Sequence, residues 1–164
     1  MAVTQTQGRE RLVRRVVRFT GNGTWTVPAG VTYAVAHMLG GGGGSGLAQT
    51  AGNGASSTVA FSAGTVQSRG GIRIHYSNDT NSGPTGRVGL ANTGKAANIG
   101  YTGGNRDHMM GRHAGDSQYV SSGAVVTPGQ NISVAIGAGG SAGTSGAAGG
   151  SGYVWIEFYE PVRD

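Results

Sequence analysis

Cysteine is absent from the 164-residue chain. That excludes a disulfide framework and any thiolate-ligated metal site. Lysine is nearly absent as well: Lys95 is the single one. Charged residues make up only 12% of the chain, which does not fit the high-charge, low-hydrophobicity signature of ordinary disorder. No apolar run approaches the ~20 residues that a helix needs to span a bilayer, so membrane insertion is not expected. The N-terminal Met-Ala-Val-Thr-Gln-Thr-Gln lacks the basic and apolar regions of a secretory signal. Helix patterning is also missing. Apolar residues at i, i+3, i+4, i+7 are interrupted by glycine everywhere, and one weak helical turn over Gln7–Arg15 is the only candidate.

What is abundant is glycine: 34 residues, about three times the average usage. Gly40–Gly44 is an unbroken run, and a second tract covers Gly137–Gly152. Ordering glycine costs more backbone entropy than ordering any other residue. Ordered glycine tracts must therefore serve close packing or tight turns; unordered ones serve as linkers. Large aliphatics are sparse and the core must be thin, a condition that oligomerisation remedies.

Strand patterning is clear. Leu12–Phe19, Thr24–Val27, Val31–Leu39, Ser57–Gln67, Gly71–Tyr76, Val120–Val126, Asn131–Ile136 and Tyr153–Tyr159 read as strands. In Val31–Leu39 the residues Val31, Tyr33, Val35, His37 and Leu39 share one face. In the last strand Val154, Ile156 and Phe158 oppose Tyr153, Trp155, Glu157 and Tyr159. Both faces there are substantial, which predicts a central strand or an interface. Pro28-Ala29-Gly30 and Pro128-Gly129 read as turns. Turn, alternating strand and glycine tract follow one another twice, so the tracts are one device used twice rather than random linkers. The expected fold class is all-β, an antiparallel, jelly-roll-like sandwich. Alanine, serine and threonine interruptions favour glycine loops capping it, with short polyglycine-II segments as the alternative.

Positive charge concentrates in Arg9, Arg11, Arg14, Arg15 and Arg18, offset locally by Glu10. Residues 1–15 are expected to form a basic docking arm onto a neighbouring protein, and residues 16–164 a single domain. Arginine suits bidentate contacts with carboxylates or phosphates. No aromatic stacking surface interleaves with these arginines, which argues against nucleic acid. Residues 77–118 form a long polar region, too long for a simple connection. Tyr76, Asn78, Asp79, Asn81, Tyr101, Asn105, Arg106 and His108 in it are candidate contacts to a glycan, since aromatics stack on sugars and Asn, Asp and Arg bind hydroxyls. A loop packed on a neighbouring subunit is the competing reading.

Other motifs carry little. Gly41–Gly46 satisfies G-x-G-x-x-G but no helical pattern follows. Gly89–Ala96 misses the P-loop because Ala96 stands where a magnesium-binding hydroxyl is required. Asp107, His108, His113 and Asp116 cluster in sequence without metal-ligand spacing. No catalytic constellation and no cofactor site emerge, and an enzyme is not expected. The sequons at Asn22, Asn78 and Asn131 matter only on a eukaryotic secretory route.

The segment FTGNGTWTVPAGVTYAVAHMLGGGGGSG, followed by GASSTVAFSAGTVQSRGG, VTPGQNISVAIGAGGSAG and GGSGYVWIEFYE, resembles the glycine-rich domains of bacteriophage tail proteins. The match runs from about Val17 to Glu160, excluding roughly 77–118. The resemblance implies a virion structural protein: a minor tail, fibre or adhesin component. Related adhesins pack polyglycine-II strands and display receptor-binding loops. The implied partners are further copies of the chain (a trimer is expected), other virion proteins and a host-surface glycan. A capsid decoration protein and a free carbohydrate-binding module are the alternatives.

Overall fold

A computed structural model describes residues 8–47, 51–76, 117–144 and 148–164, with only the backbone for 45–47 and 74–76. The described chain is all-β. Its strands are β1 (Glu10–Phe19), β2 (Gly23–Thr26), β3 (Tyr33–Leu39), β4 (Ser45–Leu47), β5 (Ser57–Phe61), β6 (Gly64–Ser68), β7 (Ile74–Tyr76), β8 (Tyr119–Val125), β9 (Asn131–Ala135) and β10 (Tyr153–Arg163).

Eight strands build two antiparallel sheets, in the orders β1-β10-β3-β8 and β2-β9-β5-β6. The pairing is nested. The first sandwich strand pairs with the last, the second with the next to last, β3 with β8, and β5 with β6. One long hairpin rolled into two facing sheets has this connectivity, and it is the jelly roll.

Alternation sets which face is buried. Ala34, Ala36 and Met38 from β3, and Val154, Ile156 and Phe158 from β10, point into the sandwich. They meet Trp25, Val59, Phe61, Ile132 and Val134 of the facing sheet. Small alanines on β3 make room for the bulk opposite. Trp25 and Phe158 lie with ring centroids 5.1 Å apart, and a buried aromatic pair adds about 0.5–1.5 kcal/mol beyond its area.

Four sequence expectations change. Where a helical turn is expected over Gln7–Arg15, the described residues Glu10–Arg15 open β1 instead, and β1 pairs with β10 along its whole length, from Glu10↔Arg163 to Phe19↔Val154. A boundary after residue 15 therefore cuts a strand, and the basic segment from Glu10 onward is sheet rather than a separate arm. On β1 Arg11, Arg14, Arg15 and Arg18 keep their guanidinium groups in water while Val13, Val16, Val17 and Phe19 are half-buried and the chain hydrogen-bonds to β10. Ser57–Gln67 is not one strand but the β5–β6 hairpin, turning at Gly64, whose φ of 145° disfavours any other residue. In Gly71–Tyr76 only Ile74–Tyr76 is strand.

The glycine tracts form the fourth change. Gly40–Gly44 runs straight on from β3, with segments 52–55, 69–73, 137–141 and 148–152 packed around it. Gly41 donates to the Ala55 carbonyl (2.8 Å) and Gly44 to that of Gly52 (2.9 Å). Gly42 donates to Gly150, while Gly71 donates to Gly41 and Gly140 to Gly42, each at 2.8 Å. Contacts repeat every third residue. A Cβ on Gly40 or Gly43 would lie 2.4 or 2.2 Å from the Arg69 or Ile72 carbonyl oxygen. On Gly41 or Gly44 it would lie 2.0 or 2.1 Å from that of Ala138 or Ser141. A three-residue repeat with interchain-type backbone bonds is the polyglycine-II arrangement, in which only glycine fits where backbones touch, as at the collagen axis.

None of these glycines is in the left-handed region, for among the described residues only Gly30, Gly64 and Gly129 have positive φ. The tracts thus need glycine for its missing Cβ, not for turning. The interruptions follow the same logic. Arg69 and Ile72, Ala138 and Ser141, and Ala148 and Ser151 are exposed at three-residue spacing, so their side chains point away from the bundle. The central segment has neighbours on several sides, is buried throughout, and is the unbroken run.

Candidate interaction surface

The outer face of the β1-β10-β3-β8 sheet carries an unusual load. Of the six large hydrophobic residues left exposed among the described residues, all but Ile72, namely Leu12, Tyr33, Tyr119, Val125 and Tyr159, fall on strands of this sheet. Register places them on its solvent side. Trp155 stands opposite His37, and His37 opposite Ser121. Arg18 stands opposite Trp155, and Arg14 opposite Tyr159. The β10 residues that oppose the core set, Tyr153, Trp155, Glu157 and Tyr159, therefore form the spine of this face.

Its centre is an aromatic cluster. The His37 and Trp155 rings stack with centroids 4.8 Å apart and planes 4° from parallel. Tyr119 and Tyr153 flank Trp155 at 6.1 and 5.6 Å. A 2.7 Å hydrogen bond joins His37 Nδ1 and the Tyr119 hydroxyl. His37 Nε2 is buried and has no hydrogen-bond partner among the described residues. Burial is the main cause that lowers the His37 pKa below its ordinary value; the Glu157 carboxylate opposes this and Arg14 adds to it. Desolvation disfavours the charged imidazolium, so the ring is held neutral at neutral pH.

On the same face Tyr33 reaches diagonally over Gly123, where a Cβ would lie 1.9 Å from its hydroxyl oxygen. An aromatic side chain covering a strand glycine compensates for the packing that glycine cannot supply.

The five arginines expected to dock elsewhere have definite places. Arg11 pairs with Asp164 at 3.1 Å and Arg15 with Glu160 at 2.9 Å. Arg14 donates to Glu157 from Nε at 3.0 Å and also from Nη2. These three therefore tie β1 to β10 across the sheet. Arg9 and Arg18 make no ion pair among the described residues. Of the candidate glycan contacts, Tyr76 ends β7, while Asn78, Asp79, Asn81, Tyr101, Asn105, Arg106 and His108 lie outside the described residues. The Asp107–Asp116 cluster and the Gly89–Ala96 motif lie outside them too.

Sequence reading did not single out His37, Tyr119 or Trp155 as a group. Alternation placed His37 and Trp155 each on a face, while Tyr119 fell just before the strand read at Val120–Val126; the pairing that joins residues 37, 119 and 155 is a property of the roll-up.

No protein-family model, no curated protein and no solved structure matches this chain.

Proposed function

We propose that the chain is a non-enzymatic virion structural protein of a bacteriophage, a tail, fibre or tail-tip component built as a homo-oligomer. The observation that supports this most is the polarity of the molecule. At one end β1 and β10 run on together beyond β3, as a two-stranded ribbon from Glu10 to Arg14 and Tyr159 to Arg163. At the other end β3 and β9 run into the glycine bundle, and β5 and β10 emerge from it. Beyond the bundle, β4 and β7 continue its parallel contact as a short ladder, Ser45↔Ile74 to Leu47↔Tyr76. Such a molecule suits attachment at the ribbon end and display at the glycine end, where Tyr76 lies.

The resemblance of the strand and glycine segments to phage tail domains supplies the virion context. Docking onto neighbouring virion proteins is assigned to the aromatic outer face and the ribbon. Display at the far end would serve a host-surface glycan.

Mass spectrometry of purified particles, separated into heads and tails, tests the reading. The chain is expected in the tail fraction. Recovery with heads would favour capsid decoration, and absence from particles would end the virion assignment. A glycan array on the purified chain tests display; silence across host-wall glycans would remove the receptor part.

A further inference from the structure

The two edges of the outer sheet are built differently. β1 forms one edge and β8 the other. A free sheet edge is a row of unpaired backbone donors and acceptors, and proteins guard such edges with charge, proline or brevity. The β1 edge is guarded: the charged, hydrated side chains of Arg11, Arg14, Arg15 and Arg18 lie along it, which disfavours addition of a further strand. β10 is guarded where it loses its β3 neighbour, because Pro161 stands there without an N–H. The β8 edge has none of these devices. Tyr119–Val125, Tyr-Val-Ser-Ser-Gly-Ala-Val, is seven residues long without charge or proline, and no other described strand pairs with its outer side. Yet Tyr119 and Val125 are left 49% and 73% exposed.

We propose that the outer edge of β8 pairs antiparallel with the β8 edge of a second copy, joining two four-stranded sheets into one of eight. The sequence of the strand fits itself in one register. With Ser122 on the two-fold axis, Tyr119 of each copy stands opposite Val125 of the other, on the outer face. An aromatic residue opposite a β-branched one is a favourable cross-strand pair, and the two exposed apolar residues of the strand cover each other twice. Ser121 then meets Gly123, Val120 meets Ala124 and Ser122 meets itself. No like charges face each other. Any one-residue slip sends Tyr119 and Val125 to opposite faces. The aromatic cluster of His37, Trp155 and Tyr119 lies next to the seam, so pairing would join two clusters into one continuous surface. The inference rests on the homo-oligomeric part of the proposed function and gives the unit two-fold symmetry; the virion assignment is tested separately by particle fractionation.

The experiment uses the full chain in solution. Sedimentation equilibrium across a concentration series is expected to show a monomer–dimer equilibrium. Val125→Lys, at a position exposed in the monomer, is expected to weaken the dimer at least tenfold without changing the thermal transition of the monomer. Because the chain has no cysteine, single substitutions give clean cross-links. Antiparallel partners have Cα atoms about 4.5–5.5 Å apart, inside the range of about 4.4–6.8 Å that a disulfide spans. Ser122→Cys is expected to oxidise to a covalent dimer and Ser121→Cys to remain monomeric on a non-reducing gel. A chain that stays monomeric throughout the series would overturn the proposal and leave the edge to a foreign strand. A dimer indifferent to Val125→Lys, or one that cross-links through Ser121→Cys and not Ser122→Cys, would overturn it as well.

Discussion

The Ser57 hydroxyl donates a 2.7 Å hydrogen bond to the carbonyl of Leu39, the last residue before the unbroken glycines. The same oxygen accepts from the Gly137 N–H at 2.9 Å. Ser68 plays the matching part. It accepts from the Gly40 N–H at 3.0 Å and donates to the Gln118 carbonyl. Both serines are fully buried. They sit where sheet pairing stops and three-residue packing begins, and each takes up backbone groups that the change of geometry leaves without partners.

Ser57→Ala should therefore be costly for so small a change. Removing one partner of a buried hydrogen bond strands the other group, at about 1–3 kcal/mol. Here a donor and an acceptor are stranded together. Urea unfolding should show a loss in that range; a change under about 0.5 kcal/mol, the size of a surface substitution, would mean that the joint is not held by Ser57.

The glycines divide into replaceable and irreplaceable ones. Gly41→Ala would press a methyl group onto the Ala138 backbone, which no rotamer change relieves. The expected loss is about 3 kcal/mol or more, at the upper end of overpacking costs. Gly21→Ala has no atom within 4 Å of the new Cβ and should stay within about 0.5 kcal/mol of the parent. Paired denaturation curves check the contrast, and equal effects would contradict the packing role.

His37 predicts a pH dependence. Its folded pKa lies below its ordinary value of 6.5, so below about 6.5 the unfolded chain binds more protons than the folded one. Stability then falls as pH drops from about 6.5 toward the folded pKa. His37→Phe should flatten this part of the profile of thermal midpoint against pH. A parent profile with the same slope as the variant would contradict the placement of the ring.

The arginine–carboxylate pairs across β1 and β10 are exposed, so their contribution is screened by salt. Replacing Arg11, Arg14 and Arg15 together with glutamine should lower the thermal midpoint at low salt. The difference from the parent should shrink at high salt. A salt-independent difference would point to lost packing of the arginine stems instead.

How much was legible in the sequence differs from element to element. Tyr33–Leu39 and Tyr153–Tyr159 could be read directly, because period-two alternation is local; Val31 lies before β3 and is buried in the core rather than sharing the Tyr33 face. So could the sandwich class, and of the two expectations for the last strand, central or at an interface, the first is met: β10 lies between β1 and β3. The β5–β6 hairpin was missed because Ser62-Ala63-Gly64 is a weak turn signal inside a continuous strand pattern. β1 was misjudged because charge was read as an arm, while its partners Glu157, Glu160 and Asp164 are nearly 150 residues away. The glycine bundle was obscured by its interruptions, which looked like defects and are its solvent-facing positions. Their three-residue spacing at Ala138/Ser141 and Ala148/Ser151 was the signal available. The outer-face cluster needed the register of three strands, which no local pattern supplies.

Backbone amide exchange, followed by NMR on the full chain, tests the central claim that the glycine tracts are packed architecture. The N–H groups of Gly41, Gly42, Gly44, Gly52, Gly140 and Gly149 donate to other segments of the bundle. They should exchange far more slowly than unstructured glycine, with protection approaching that of Ala36 and Ile156 in the sandwich. Exchange of these amides at the rate of an unstructured chain, beside a protected sandwich, would contradict it.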